Sequence, residues 1–323
     1  MFIPVLLFAL GLVLLIKGGD WFVDGATGIA KRFKLPDIIV GATVVSIGTT
    51  LPEVMVSATG ALNGQGSMAY GNAIGSIICN TALIAAISVT FNPGPTNTKT
   101  MRTPVIFFFA SAGVYCAATY LLGSFPRWLG ILLLTIFVVY MLVTVRQGFK
   151  NPETASTDED AEAQKSKKLW VELILLVGGA ALIAIGADLL VDNGTIIAEK
   201  LGVPETVIAL TFVALGTSLP ELVTTVTSLR KGHASLGIGN VIGANIFNLV
   251  LVSGISVTLE PFDVPVGNTL FGINSSLVLD IPLMLTVMVL LTVPALIRNK
   301  LSRWQGLVLL SLYAGFCALQ FAL

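Results

Sequence analysis

Two short stretches place a carboxylate and a proline inside long apolar runs: GTTLPE, Gly48 to Glu53, and GTSLPE, Gly216 to Glu221. In the first, Ser46, Thr49, Thr50 and Glu53 recur at i, i+3, i+4 and i+7, which puts them on one face of a helix. Ala214, Thr217, Ser218 and Glu221 repeat that spacing in the second. The prolines add backbone oxygens to the set. Pro52 has no N–H for the carbonyl of Gly48, and Pro220 has none for that of Gly216. Carbonyls at Ser46, Ile47 or Gly48, and at Ala214, Leu215 or Gly216, are therefore candidates to face a cavity. Every prospective ligand atom is an oxygen. That is the preference of hard cations such as Ca²⁺ and Na⁺, whereas Zn²⁺ or Cu⁺ would want His or Cys. A glutamate in mid-membrane costs about 3 kcal/mol or more unless a cation or proton accompanies it.

A second pair of motifs follows each of the first: GNAIGSIICN, Gly71 to Asn80, and GNVIGANIFN, Gly239 to Asn248. Asn72, Ser76 and Asn80 share one helical face, as do Asn240, Ala244 and Asn248. Asn80 and Asn248 offer side-chain carbonyls to a cation. Asn72, Asn240 and Asn245 suit that role or interhelical hydrogen bonding equally. Asp20, Asp24, Asp188, Asp192 and Asp280 read as residues that cap or solvate helix ends. The one histidine, His233, lies in a basic turn, and Cys79, Cys116 and Cys317 have no metal-ligand or redox spacing.

The elements that hold these residues must cross a membrane. The 323 residues are 55% hydrophobic and 11% charged, too little charge to cover a soluble surface of this size. Net charge is zero, so nothing points to nucleic acid. The pattern predicts an all-α polytopic membrane protein with ten spans, near residues 3–31, 36–62, 67–91, 103–122, 127–146, 169–199, 203–230, 234–259, 274–297 and 303–322. The first run lacks the flanks of a cleaved signal peptide and reads as a retained span. Residues 151–168, NPETASTDEDAEAQKSKK, have the composition of a flexible linker. The organisation is then a five-helix unit over 1–147, a linker loop over 148–168 and a second five-helix unit over 169–323.

Turns after the odd-numbered spans hold 15 of the 18 basic residues, and the opposite turns hold only Arg127 and Lys200. The positive-inside rule puts both termini outside and the central loop in the cytoplasm. A shift of 168 residues aligns the halves without a gap. Between Pro36 and Asn80, 17 of 45 positions are identical, well beyond coincidence. Five spans per half is an odd number, so the second half enters from the other side. Inverted repeats of this kind typify secondary transporters, with the substrate site at the repeat interface.

These paired motifs resemble the Ca²⁺/cation antiporter superfamily, in its branch of prokaryotic sodium/calcium exchangers, and the resemblance spans the whole chain. It implies that Glu53 and Glu221 are the principal Ca²⁺ ligands. It implies hydroxyl roles for Thr49, Thr50, Thr217 and Ser218, carbonyl roles for Ser46 and Ala214, and ligand roles for Ser76, Asn80 and Asn248. The long first and sixth spans resemble a pair that slides across the core. Asn248 stands where some relatives have Asp, and Ala244 where Ser is common, which removes one acid and one hydroxyl from the set. The expected activity is Na⁺/Ca²⁺ antiport across the inner (plasma) membrane by a monomer with no cofactor. A Ca²⁺/H⁺ antiporter using the same glutamates is the alternative. An intramembrane enzyme lacks its motifs, and a passive channel sits poorly with an inverted repeat.

Overall fold

The computed structural model describes residues 2–150, 169–201, 216–266, 269–270 and 272–322. Most of the predicted linker, Ala214 and the first part of the predicted seventh span lie outside these residues. Eight helices among the described residues are long and apolar enough to cross a membrane. They are α1 (Phe2–Phe33), α2 (Asp37–Leu62), α3 (Met68–Phe91), α4 (Thr98–Leu122), α5 (Arg127–Lys150), α6 (Leu169–Lys200), α8 (Ala234–Leu259) and α9 (Ser276–Arg298). Two further helices among the described residues are α7, described over Leu219–Arg230, and α10, Arg303–Ala322.

Helices α1 and α6, equivalent under the 168-residue shift, each have 32 residues and so extend about 48 Å. They pack antiparallel along small residues. A methyl group on Gly18 would sit 2.8 Å from the Ile183 backbone nitrogen, and one on Gly11 would sit 2.9 Å from the Gly186 carbonyl. Gly25 likewise meets Leu176, at 2.5 Å from its nitrogen. Only glycine lets the two backbones approach this closely. At one end Arg32 closes the pair with two hydrogen bonds to Glu172, Nε to Oε2 at 2.7 Å and Nη2 to Oε1 at 3.0 Å. Glu172 is buried, and the two-pronged geometry is the strong form of this contact.

The rest of the fold packs into a single apolar cluster drawn from α2 to α5 and α7 to α10. Five of its helices carry a wide π turn: Gly41–Val45 in α2, Asn80–Ala85 in α3, Ala118–Leu122 in α4, Asn248–Val252 in α8 and Ser276–Asp280 in α9. Those in α3 and α8 begin at repeat-equivalent asparagines. In α2 the Ser46 hydroxyl donates to the Gly41 carbonyl at 2.8 Å, and in α8 the Ser253 hydroxyl donates to the Asn248 carbonyl at 2.9 Å. In both, a hydroxyl five residues on satisfies the carbonyl that opens the wide turn.

Direct contacts sort the turns onto two faces. On one, Gly94–Pro95 pairs with Lys300–Leu301, Gln147 donates to the Lys99 carbonyl, and His233 Nδ1 lies 2.7 Å from Asp37. On the other, Ser124–Phe125 pairs with Phe262–Asp263 and Arg127 donates to the Leu259 carbonyl. The basic turns thus gather on one face, as the charge asymmetry requires. His233 joins the two halves there. Asp20 and Asp24, expected near a helix end, lie well inside α1, because the helix continues to Phe33.

Because α1 and α6 touch through glycine, Gly18→Leu should overpack the contact and cost about 1–3 kcal/mol. The expected result is a thermal unfolding midpoint several degrees lower for the purified protein. Gly113→Ala, with no neighbour within 4 Å, should leave it unchanged or raise it.

Candidate cation site

The two GT(T/S)LPE segments meet at the centre, where α2 and α7 face one another. The first remains helical through Pro52, inside the stretch Ser46–Leu62, with the wide turn lying upstream of it. In the second, Thr217 and Ser218 form a turn, and the described part of helix α7 begins at Leu219 with Pro220 in its first turn. Proline costs little there, since the first helical N–H groups lack partners anyway. The described parts of the two motifs thus accommodate the same proline differently.

Glu53 and Glu221 are both fully buried, and their carboxyl groups lie within electrostatic range of each other. Thr50 of α2 reaches Glu221 Oε1 at 3.5 Å, so a hydroxyl from one half touches the acid of the other. Both oxygens of Glu53 and Oε2 of Glu221 have no protein hydrogen-bond partner. Neither do Ser218 Oγ, Asn248 Oδ1 or either amide atom of Asn80. Asn248 Nδ2 donates to the Ala244 carbonyl at 3.0 Å, which leaves only its oxygen free. The wide turn that starts at Asn80 packs against α7, and the one that starts at Asn248 packs against α2. Buried polar atoms are nearly always paired. A cluster of unpaired oxygens around two carboxylates suits a hard cation carried as cargo, which supplies the missing partner and offsets the charge.

Other proposed residues have a different task. Thr49 donates to Asn240 Oδ1 at 3.1 Å, and Thr217 donates to Asn72 Oδ1 at 3.4 Å. These two bonds are images of each other under the repeat. Each ties the hydroxyl of one half to the asparagine of the other. Asn72 also donates to the Glu53 carbonyl at 3.3 Å and to Ser57 at 2.8 Å. Ser46 donates to the Asn240 carbonyl at 3.0 Å. Asn72 and Asn240 therefore hold the glutamate-bearing segments in position. Asn245 donates to Thr81 at 2.7 Å and to the Met288 sulfur at 3.2 Å, a junction of α3, α8 and α9. Ser76 is buried on α3.

Ser57 and Thr225 were not singled out in the sequence, yet both are buried and equivalent under the repeat. Their signal was present. Each lies one helical turn beyond its glutamate and prolongs the same polar face. Helices α1 and α6 cover the site. A methyl group on Gly48 would lie 2.9 Å from the ring of Phe22, and one on Gly216 would lie 2.9 Å from Val191.

Comparison with known proteins agrees with this geometry. The family described as sodium/calcium exchanger protein matches residues 3–146 and 171–322. The sodium/calcium exchanger MaX1 of Methanosarcina acetivorans is 31% identical over 350 residues, covering 98% of each chain. The putative antiporter CaxA of Alkalimonas amylolytica is 32% identical over 326 residues, covering 100% of each. A structure of the sodium-calcium exchanger NCX_Mj, soaked with 2.5 mM Na⁺ and 0.1 mM Sr²⁺, superposes with a TM-score of 0.81 at 30% identity over 98% of each chain.

If Asn72 and Asn240 position the site, Asn240→Ala and Asn72→Ala should each weaken divalent-cation binding without abolishing it. The loss of two or three partly offset hydrogen bonds that only position the site corresponds to roughly 5- to 10-fold in affinity. Calorimetric titration of purified protein with Ca²⁺ checks this.

Proposed function

Because this chain belongs to the sodium/calcium exchanger family, we propose that it exchanges Na⁺ for Ca²⁺ across the inner (plasma) membrane by alternating access, with Glu53 and Glu221 holding the ions. The observation that carries this reading is the pair of fully buried carboxylates from opposite halves, three of whose four oxygens have no protein partner. Their charge of −2 is neutralised by one Ca²⁺ or two Na⁺, so the ions compete for one cluster. An empty, doubly charged site crosses poorly because both carboxylates would be desolvated uncompensated. That penalty makes movement of one ion depend on the counter-movement of the other. A third Na⁺ would leave a net positive charge, and exchange would then carry current.

Further ligands in this reading are Thr50, Ser218, Ser76, Asn80 and Asn248, with the hydroxyls or carbonyls of Ser46, Thr49, Ala214 and Thr217. Asn72, Asn240 and Asn245 support them. The full architecture is ten spans in two inverted five-helix repeats. The α1 and α6 pair shifts as one body over the site. The basic face is cytoplasmic, both termini are outside, and the protein works as a monomer in the bilayer. With inward-directed Na⁺ it would extrude Ca²⁺.

The test is ⁴⁵Ca²⁺ uptake into proteoliposomes preloaded with Na⁺. Uptake should require the outward Na⁺ gradient and persist with a proton uncoupler. Glu53→Gln and Glu221→Gln should each reduce it to background. Uptake that ignores Na⁺ and collapses with the uncoupler would overturn Na⁺ coupling in favour of protons.

A further inference from the structure

The repeat lets the two sides of the site be compared residue by residue. On the basic face, α1 is clamped to α7. Lys231 donates to Asp24 Oδ1 at 2.8 Å and to the Asp20 carbonyl at 2.9 Å, and it lies 3.5 Å from Asp20 Oδ1. Just beside this contact, a methyl group on Gly19 would sit 2.7 Å from Val223 and 2.8 Å from Thr227. Thr227 is buried there.

The equivalent positions on the other face behave differently. Asp188 and Asp192 stand where Asp20 and Asp24 do, and both are exposed. The equivalent of Lys231 is Asn63, which is exposed and has no charge to offer. Met55 and Thr59, equivalents of Val223 and Thr227, are exposed, Met55 at 65%. No cation among the described residues pairs with Asp188 or Asp192.

We propose that Lys231 is a one-sided latch: with Asp20 and Asp24 it holds α1 against α7 and biases the protein toward the state closed on the basic face. The inference rests on the alternating access proposed above. Opening the basic face requires α1, tied to α6 by Arg32 and Glu172, to leave α7, and this breaks both contacts of Lys231. The opposite closure, α6 onto the end of α2, has the two aspartates but no lysine. Chain duplication supplied matching acids, and the difference between Lys231 and Asn63 makes the two closures unequal. The latch residues are partly exposed, so each contact shifts the balance modestly, about 2- to 5-fold. Lys231 acts here as a positioning residue and does not touch the cation.

Hydrogen–deuterium exchange on the purified full-length protein in lipid nanodiscs, without Ca²⁺ and with little Na⁺, tests this independently of transport. Lys231→Gln should raise exchange several-fold across 223–231 and lower it across 55–63, because α6 closes more often when α1 is released. Asn63→Lys keeps the existing latch and supplies a second one. It should lower exchange across 55–63 and raise it across 223–231. A merely structural Lys231 would affect only its own helix end. A change confined to 223–231 in Lys231→Gln, or no change at 223–231 in Asn63→Lys, overturns the latch. A protein that passes this test yet fails Na⁺-driven Ca²⁺ uptake would retain the latch and lose the exchange reading instead.

Discussion

Two buried carboxyl groups, with no positive side chain among the described residues paired to them, lie at the heart of this protein. Glu53 and Glu221 are fully buried, and the ion pairs among the described residues all lie elsewhere. Burial of an unpaired carboxylate is among the most expensive things a fold can do. The surrounding structure answers that cost with oxygen atoms. Thr50 reaches Glu221, and Asn80 and Asn248, whose amide oxygens have no protein partner, open wide turns that pack against α7 and α2.

Holding such a cluster demands rigidity around it and freedom beside it. Rigidity comes from the reciprocal bonds of Thr49 with Asn240 and of Thr217 with Asn72, together with the wide turns that begin at Asn80 and Asn248. Wide turns of this kind are rare and concentrate where backbone groups are needed outside the helical ladder. Freedom comes from the partition of the apolar core. Residues of α1 and α6 form their own cluster with the starts of α2 and α8, apart from the larger cluster of the other helices. Close glycine-lined contact and the Arg32–Glu172 bridge tie α1 and α6 to each other.

Much of this was legible in the amino-acid sequence. Apolar run length marked the eight described helices long enough to cross a membrane, and the 168-residue shift paired residues that make equivalent contacts. The i, i+3, i+4, i+7 spacing found the polar face, because helical periodicity is local. Helix α4 begins at Thr98, five residues before the span expected from 103. The side chain of Asn97 accepts from the N–H groups of Lys99 and Thr100, and this cap allows α4 to begin at Thr98. Other features depend on residues far apart in the chain. Thr49 and Asn240 are 191 positions apart, and Lys231 and Asp24 are 207 apart. Their meeting follows from the packing of one half against the other, which no local pattern records. The different paths through Pro52 and Pro220 also escaped local reading, since both motifs present the same missing N–H.

The central claim is that one cation sits between the two glutamates, and anomalous diffraction from crystals soaked in Sr²⁺ tests it most directly. A single strong peak should appear within bonding distance of carboxylate oxygens from both Glu53 and Glu221, with oxygens of α3 or α8 completing the shell. Peaks only at the surface, with each glutamate hydrogen-bonded to protein groups instead, would contradict the account.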